Sequence, residues 1–256
     1  MEGVDTRALT RHLRIAGAMK ALISTEDFDP RSLQQKIDAL PFMEGADFVK
    51  DVSTAKKYIW KPQGPRRYKI AAIDCGIKFN ILRILADLGC EVHVFPAKAT
   101  SKEILASKPD GIFLSNGPGD PAVVTYVIDT VKDLLGKVPI FGICLGNQIL
   151  GLALGGKTYK LKFGHHGANH PVKDFEGNRI AVTSQNHGFC VDIKSLDSRE
   201  VEVIHLNLND QSVEGIRHRN FPAFSIQYHP ESAPGPHDAK YLFNQFIEMI
   251  DKHKNA

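Results

Sequence analysis

The sequence is short of cysteine, of net charge and of long apolar runs, and each shortage excludes a class of protein. Four cysteines in 256 residues (Cys75, Cys90, Cys144 and Cys190) are too sparse for a disulfide-stapled scaffold and lack metal-type pairing. A formal net charge of +3, spread along the chain, provides no basic face for nucleic acid or a membrane surface. No uncharged apolar segment is long enough to span a bilayer, and Met1 to Lys20 is interrupted by charge too often for a signal peptide. Internal repeats and low-complexity tracts are missing as well. What remains is a chain with 43% hydrophobic residues, enough for one large or two modest globular domains. A soluble, reducing, cytoplasmic setting is expected.

Two regions differ in rhythm. In residues 1–65, Asp5-Thr6 can cap a helix carrying Leu9, Leu13 and Ile15 and closed by Gly17. Met19 to Ser24 reads as a short strand, and Asp29-Pro30 opens a helix through Leu40. Lys56 to Arg67 is basic, holds Pro62, Gly64 and Pro65, and reads as a linker. The elements before it are too few to close a core.

Residues 66–256 alternate strand and helix. Strand patterns at Tyr68–Asp74, Glu91–Pro96, Gly111–Ser115 and Val138–Ile143 are separated by helical patterns at 79–88, 101–107 and 122–135. Such βα units predict an α/β fold with a doubly wound, mostly parallel sheet and right-handed crossovers. After Gly155 come strand-like, turn-rich segments (158–163, 179–184, 201–208, 213–217), an apolar strand Ala223–Tyr228, and a helix from His237 to Lys252. Ligands of doubly wound sheets sit outside the carboxyl ends of the parallel strands, so the loops there carry the chemistry.

One of those loops is Gly142-Ile143-Cys144-Leu145-Gly146, leading into a helical pattern from Asn147. This is a strand-to-helix elbow with cysteine at its apex: flanking glycines permit the sharp turn, and the helix amino terminus favours a thiolate. A cysteine nucleophile needs a base, and the base needs an orienting group. His229 ends an apolar strand, and Glu231, two residues on, can reach its ring. Ser115-Asn116-Gly117-Pro118-Gly119-Asp120-Pro121 offers backbone N–H groups that could face the same crevice. Gln185-Asn186-His187-Gly188-Phe189 reads as a polar loop able to hold an amino acid.

Two patterns are decoys. Gly151 to Thr158 fits G-x-x-x-x-G-K-T, but a helix precedes it and a strand follows, the reverse of a phosphate loop. His165, His166, His170 and His187 have no carboxylate or cysteine at a recognisable ligand spacing, so no metal site is expected and a bridging polar loop is.

Gly-Ile-Cys-Leu-Gly-Asn-Gln at 142–148, with His229-Pro230-Glu231, resembles the class I, triad-type glutamine amidotransferases. Strings at 114–121, 162–172 and 185–189 are similar to those of the small subunits of bacterial carbamoyl-phosphate synthase. The resemblance implies a flavodoxin-like glutaminase domain over 66–256. Residues 1–65 would then be a remnant of an amino-terminal small-subunit domain, mostly missing from this chain, plus a linker. It implies that Cys144 attacks the glutamine carboxamide to give a thioester and ammonia, with His229 as base and acid and Glu231 orienting it. It further implies an oxyanion hole at Gly117 and Leu145, and glutamine-holding positions at Gly119, Gln148, Asn186, Gly188 and Phe189. Asn147 departs from the family's usual histidine. The implied partners are L-glutamine and a large synthetase subunit in a heterodimer serving pyrimidine and arginine biosynthesis. No cofactor is expected in this chain; ATP, bicarbonate and metal would belong to the large subunit. A glutaminase subunit of another amidotransferase and a non-catalytic docking subunit are the alternatives.

Overall fold

A computed structural model describes residues 2–255. The chain begins with three helices, α1 (Thr6–Ala16), α2 (Pro30–Ala39) and α3 (Val49–Val52), and a short strand β1 (Tyr58–Trp60). The alternating part follows: β2 (Tyr68–Asp74), α4 (Phe79–Asp87), β3 (Cys90–Pro96), α5 (Ser101–Ala106), β4 (Gly111–Leu114) and α6 (Thr125–Leu134). It ends with β5 (Ile140–Ile143) and α7 (Leu145–Ala153). Then come β6 (Lys157–Asp174), β7 (Arg179–Asp192), β8 (Val201–Asn207), β9 (Val213–His218), β10 (Ala223–Ile226) and α8 (Tyr241–Lys254).

Among the described residues the strands form one sheet in the order β1-β3-β2-β4-β5-β10-β9-β8-β6-β7. β3, β2, β4, β5 and β10 are mutually parallel, as the βα rhythm requires. β9, β8, β6 and β7 continue it as an antiparallel wing.

In the parallel part, alternate side chains serve two cores. Ala71, Ile73, Ile112 and Leu114 pack with α6 and α7 through Val127, Val131, Ile149 and Leu150. Ile70, Ala72, Phe113 and Phe141 pack with α4 and α8 through Leu82, Leu85, Phe243 and Phe246. Helices therefore cover both faces, which is why these strands are continuous apolar runs. Phe141 stacks on Phe224 at 4.5 Å and meets Phe113 edge-on at 5.3 Å, tying β4, β5 and β10 together beneath the elbow.

The amino-terminal part is looser at its start. Asp5 caps α1 by accepting from the Ala8 N–H, and Asp29 caps α2, but neither helix buries a residue. From Gly45 on, the chain is anchored. The Gly45 N–H donates to Asp120 Oδ2 (3.0 Å), the Thr54 N–H donates to Asp74 Oδ2 (2.9 Å), and Val49 is fully buried.

Several expectations are corrected. Met19–Ser24 is not a strand: no neighbouring edge pairs with it. The stretch read as a linker contains β1, an edge strand antiparallel to β3. The histidine stretch 165–170 and residues 185–189, expected as polar loops, lie in the middles of β6 and β7, paired across His165–His187 and His166–Asn186. Their polarity suggested loops; the cross-strand hydrogen bonding overrides it, with register shifts where the pairing is interrupted.

Candidate active site

The elbow is as sharp as its glycines suggest. Cys144 sits between β5 and α7 at φ 56°, ψ −102°, a conformation that costs a non-glycine residue about 1–3 kcal/mol and persists only under tight packing. That packing is visible. A Cβ on Gly142 would lie 2.7 Å from the Gly146 oxygen, and one on Gly146 would lie 2.4 Å from the Leu114 oxygen. The Cys144 N–H donates to the Ile226 carbonyl at 2.8 Å, fastening the elbow to β10.

β10 supplies the second group. Its parallel register sets Ile226 beside Ile143, so the residues just beyond both strands emerge at the same sheet end. Cys144 is the next residue on one side and His229 comes three later on the other. The His229 N–H donates to the Ser184 carbonyl at 2.9 Å, and its Nδ1 lies 2.7 Å from Glu231 Oε1. With Nδ1 held by Glu231, Nε2 is the nitrogen left to serve the Cys144 sulfur, which lies close enough to influence the charge of the ring. Burial opposes a charged imidazole. The Cys144 sulfur and the Glu231 carboxylate outweigh it and raise His229 to about 10. Glu231 is also buried, yet His229 and Lys78 hold its carboxyl below the usual range.

Sequence reasoning missed Lys78. Its Nζ lies 3.0 Å from Glu231 Oε1, and the Asn80 side chain donates to the Glu231 carbonyl. Both open α4 at the carboxyl end of β2, so the rule placing ligands at strand ends could have found them. Asn116 joins the same group: its Oδ1 accepts from the Lys78 N–H (3.0 Å) and its Nδ2 donates to the Gly76 carbonyl (3.0 Å).

The other predicted positions lie on the elbow, on β7 and on the loop after β4. Gly117 is wedged against the elbow, since a Cβ there would sit 2.2 Å from the Cys75 oxygen and 2.7 Å from Leu145 Cδ2. The Leu145 N–H belongs to the first turn of α7 and has no intrahelical acceptor. Gly119 has φ +93° and packs against Ala46 and Phe48. The Cys144 sulfur lies 3.9 Å from the Asn186 carbonyl, and a Cβ on Gly188 would meet nothing within 4 Å. Gln148 is buried, its amide nitrogen donating to the carbonyl of the buried Phe189 (2.8 Å) and to Gln227 Oε1 (3.1 Å). It therefore braces β7 against α7. Asn147 is fully enclosed: Nδ2 donates to Gln227 Oε1 (3.2 Å) and Oδ1 accepts from the Ser225 hydroxyl (2.9 Å). Cys144 itself is only 4% exposed, less open than an elbow apex suggests. The Gly151–Thr158 decoy is a helix end followed by β6, with Gly155 at φ +85° as the helix-ending residue. No helix among the described residues is long and apolar enough to cross a membrane.

Residues 71–249 match the family model described as glutamine amidotransferase class-I. The carbamoyl phosphate synthase small chain of Chlorobaculum tepidum is 55% identical over 259 residues, covering all of this chain and 70% of that relative. The small chain of Syntrophotalea carbinolica is 49% identical over 268 residues, covering 100% and 71%. Among solved structures, a glutamine amidotransferase of Thermotoga maritima superposes with a TM-score of 0.53 at 18% identity, covering 74% of this chain and 86% of that one. That likeness concerns the fold alone.

Proposed function

The chain belongs to the glutamine amidotransferase class-I family, among the carbamoyl phosphate synthase small chains, and we propose that it hydrolyses L-glutamine to supply ammonia to a large synthetase subunit. The observation that carries this reading is the juxtaposition of Cys144, His229 and Glu231 at the paired ends of β5 and β10. In this reading residues 66–256 form the glutaminase unit. ATP, bicarbonate and metal belong to the large subunit, in a cytoplasmic heterodimer serving pyrimidine and arginine biosynthesis.

The chemistry follows from the geometry. His229 takes the Cys144 proton, and the sulfur attacks the carboxamide carbon of glutamine. Charge then builds on the amide oxygen, and the Leu145 and Gly117 N–H groups donate to it. His229, its ring held by Glu231, gives its proton to the departing nitrogen, and ammonia leaves a thioester on Cys144. Water, activated by the same imidazole, attacks the thioester, releasing glutamate and restoring the thiol. Asn186, Gly188 and Phe189 hold the amino-acid end of the substrate, with Gln148 bracing Phe189 and Gly119 shaping the opposite wall. Because the sulfur is so enclosed, glutamine binding must widen the cleft.

A glutamine-analogue electrophile tests this directly. Incubated with the chain and its large-subunit partner, it should add one equivalent to Cys144, and excess glutamine should protect. Absence of labelling in that complex would overturn the assignment.

A further inference from the structure

Beneath the strand carrying Asn186 to Phe189 lies a cluster that the proposed reaction does not use. His165 on β6, His187 on β7 and Glu214 on β9 are all buried, with one ligand atom from each within 4.8 Å of the others. Glu214 enters only through the tertiary fold: it is 27 residues from His187 in sequence, so no ligand spacing reveals it.

The hydrogen bonding around these groups is incomplete in a particular way. His187 stands between two acceptors, its Nδ1 2.8 Å from the Phe189 carbonyl and its Nε2 3.0 Å from Gln185 Oε1. Turning the Gln185 amide over would take the Thr183 hydroxyl away from the His170 carbonyl, since the Gln185 nitrogen now donates to Thr183 Oγ1 and the Thr183 proton goes to that carbonyl. A neutral imidazole has one N–H and can satisfy only one of these acceptors. One ring nitrogen therefore points a lone pair at an oxygen.

His165 completes the pattern. Its Nε2 is engaged by Asp210 Oδ2 at 2.9 Å, while its buried Nδ1 has no hydrogen-bond partner and lies 3.6 Å from Glu214 Oε1. Glu214 Oε1 accepts from the Asn207 amide at 2.7 Å, and Oε2 is buried without a partner. A protonated His165 bridging both carboxylates is the competing arrangement. However, 3.6 Å is too long for that hydrogen bond and leaves Glu214 Oε2 and the His187–Gln185 conflict unresolved. A cation held by His165 Nδ1, His187 Nε2 and Glu214 Oε2 would give each of these atoms a partner. Neighbouring ligands around a tetrahedral zinc with bonds of about 2.0–2.1 Å stand about 3.3 Å apart, and the 3.6 Å approach of His165 Nδ1 to Glu214 Oε1 brings the same carboxylate to that range.

We propose that His165 Nδ1, His187 Nε2 and Glu214 form a binding site for a divalent transition metal, zinc foremost, that clamps β6, β7 and β9 together. Two imidazoles and one carboxylate are a zinc donor set. Asp210 and the Phe189 carbonyl hold the outer ring nitrogens, as the second partners of metal-bound histidines do. Gln185 Oε1 is the nearest further oxygen. The role is structural: the metal would fix the strand that faces Cys144. Its consequence for glutamine binding rests on the function proposed above, whereas its presence does not.

Cobalt is the direct probe. The full chain carrying Cys144→Ser, so that the elbow thiol cannot bind metal, is stripped with a chelator and titrated with Co2+ under its visible spectrum. One equivalent should bind, with bands of nitrogen and oxygen ligation and no thiolate charge transfer, and Zn2+ should displace it. Glu214→Gln should abolish stoichiometric binding. Asp210→Asn, at a side chain 41% exposed and therefore tolerant of change, should weaken it about 10–100-fold. Failure of the Cys144→Ser chain to bind an equivalent, or affinity unchanged in Asp210→Asn, would overturn the site. Neither outcome bears on glutaminase activity, so the two proposals fail separately.

Discussion

The parallel strands and the antiparallel wing belong to one sheet but are held by different forces. β4, β5 and β10 are buried at every position and lie between helices. β6 is exposed or half-exposed along most of its length. Alongside apolar residues such as Val172 and Ile216, the wing buries many polar ones, among them His165, Asp174, Thr183, Gln185, His187, Asn207 and Glu214. Apolar burial is non-directional and tolerates approximate geometry, whereas a buried polar group must find its partner or lose its solvation energy. The parallel half therefore provides a rigid platform for the elbow, and the wing holds the opposite wall of the cleft through specific pairs.

The largest effect should come from the platform's chemistry. Cys144→Ala is expected to lower glutamine-dependent turnover by about a thousandfold or more, with far-ultraviolet dichroism unchanged. Near-normal turnover would detach the reaction from the elbow. Phe141→Ala should cost about 3–5 kcal/mol in urea unfolding, because it opens a cavity among Phe113, Phe224, Phe243 and Phe246. A loss near zero would mean the platform is not held by its apolar core.

In the wing the expected loss is smaller and depends on pH. Burial opposes the charge of Asp174, but His205, 3.6 Å away, and hydrogen bonds from the Gly177 N–H, Arg179 and Tyr241 hold its carboxyl well below the ordinary range. A folded value below the unfolded one, about 3.9, means this stabilisation is present above that pH and is lost as pH falls towards the folded value. Asp174→Asn should cost about 2 kcal/mol at neutral pH, and its stability should fall less steeply than the parent's below about pH 4. Parallel acid curves would remove Asp174 from the account.

Lys78→Met should have the mildest consequence. A half-exposed cation beside Glu231 is worth about 1 kcal/mol, so kcat/KM should drop by less than about tenfold. A loss as deep as that of Cys144→Ala would make Lys78 an essential member of the site.

The same division governed what could be read in advance. β2 matches its expected boundaries and the elbow its expected place, because apolar runs and glycine turns are local signals. Most of the wing reads as strands, but its histidines at 165–170 and the stretch 185–189 read as loops, because a polar stretch becomes a strand only when another strand pairs with it. Lys78 escaped notice for a related reason: it acts on Glu231, 153 residues away, through a contact that no spacing announces.

By itself the sequence determined the βα order, the cysteine at a strained turn, and a histidine with its carboxylate two residues on. Each depends on residues close enough in the chain to constrain one another's backbone. Only the tertiary structure decided that β10 inserts beside β5, bringing Cys144 and His229 to one edge, and that β9 carries Glu214 beneath two histidines. The physical reason is that strand order and buried polar pairing depend on surfaces meeting after collapse, and nothing in the local pattern of either partner specifies the other.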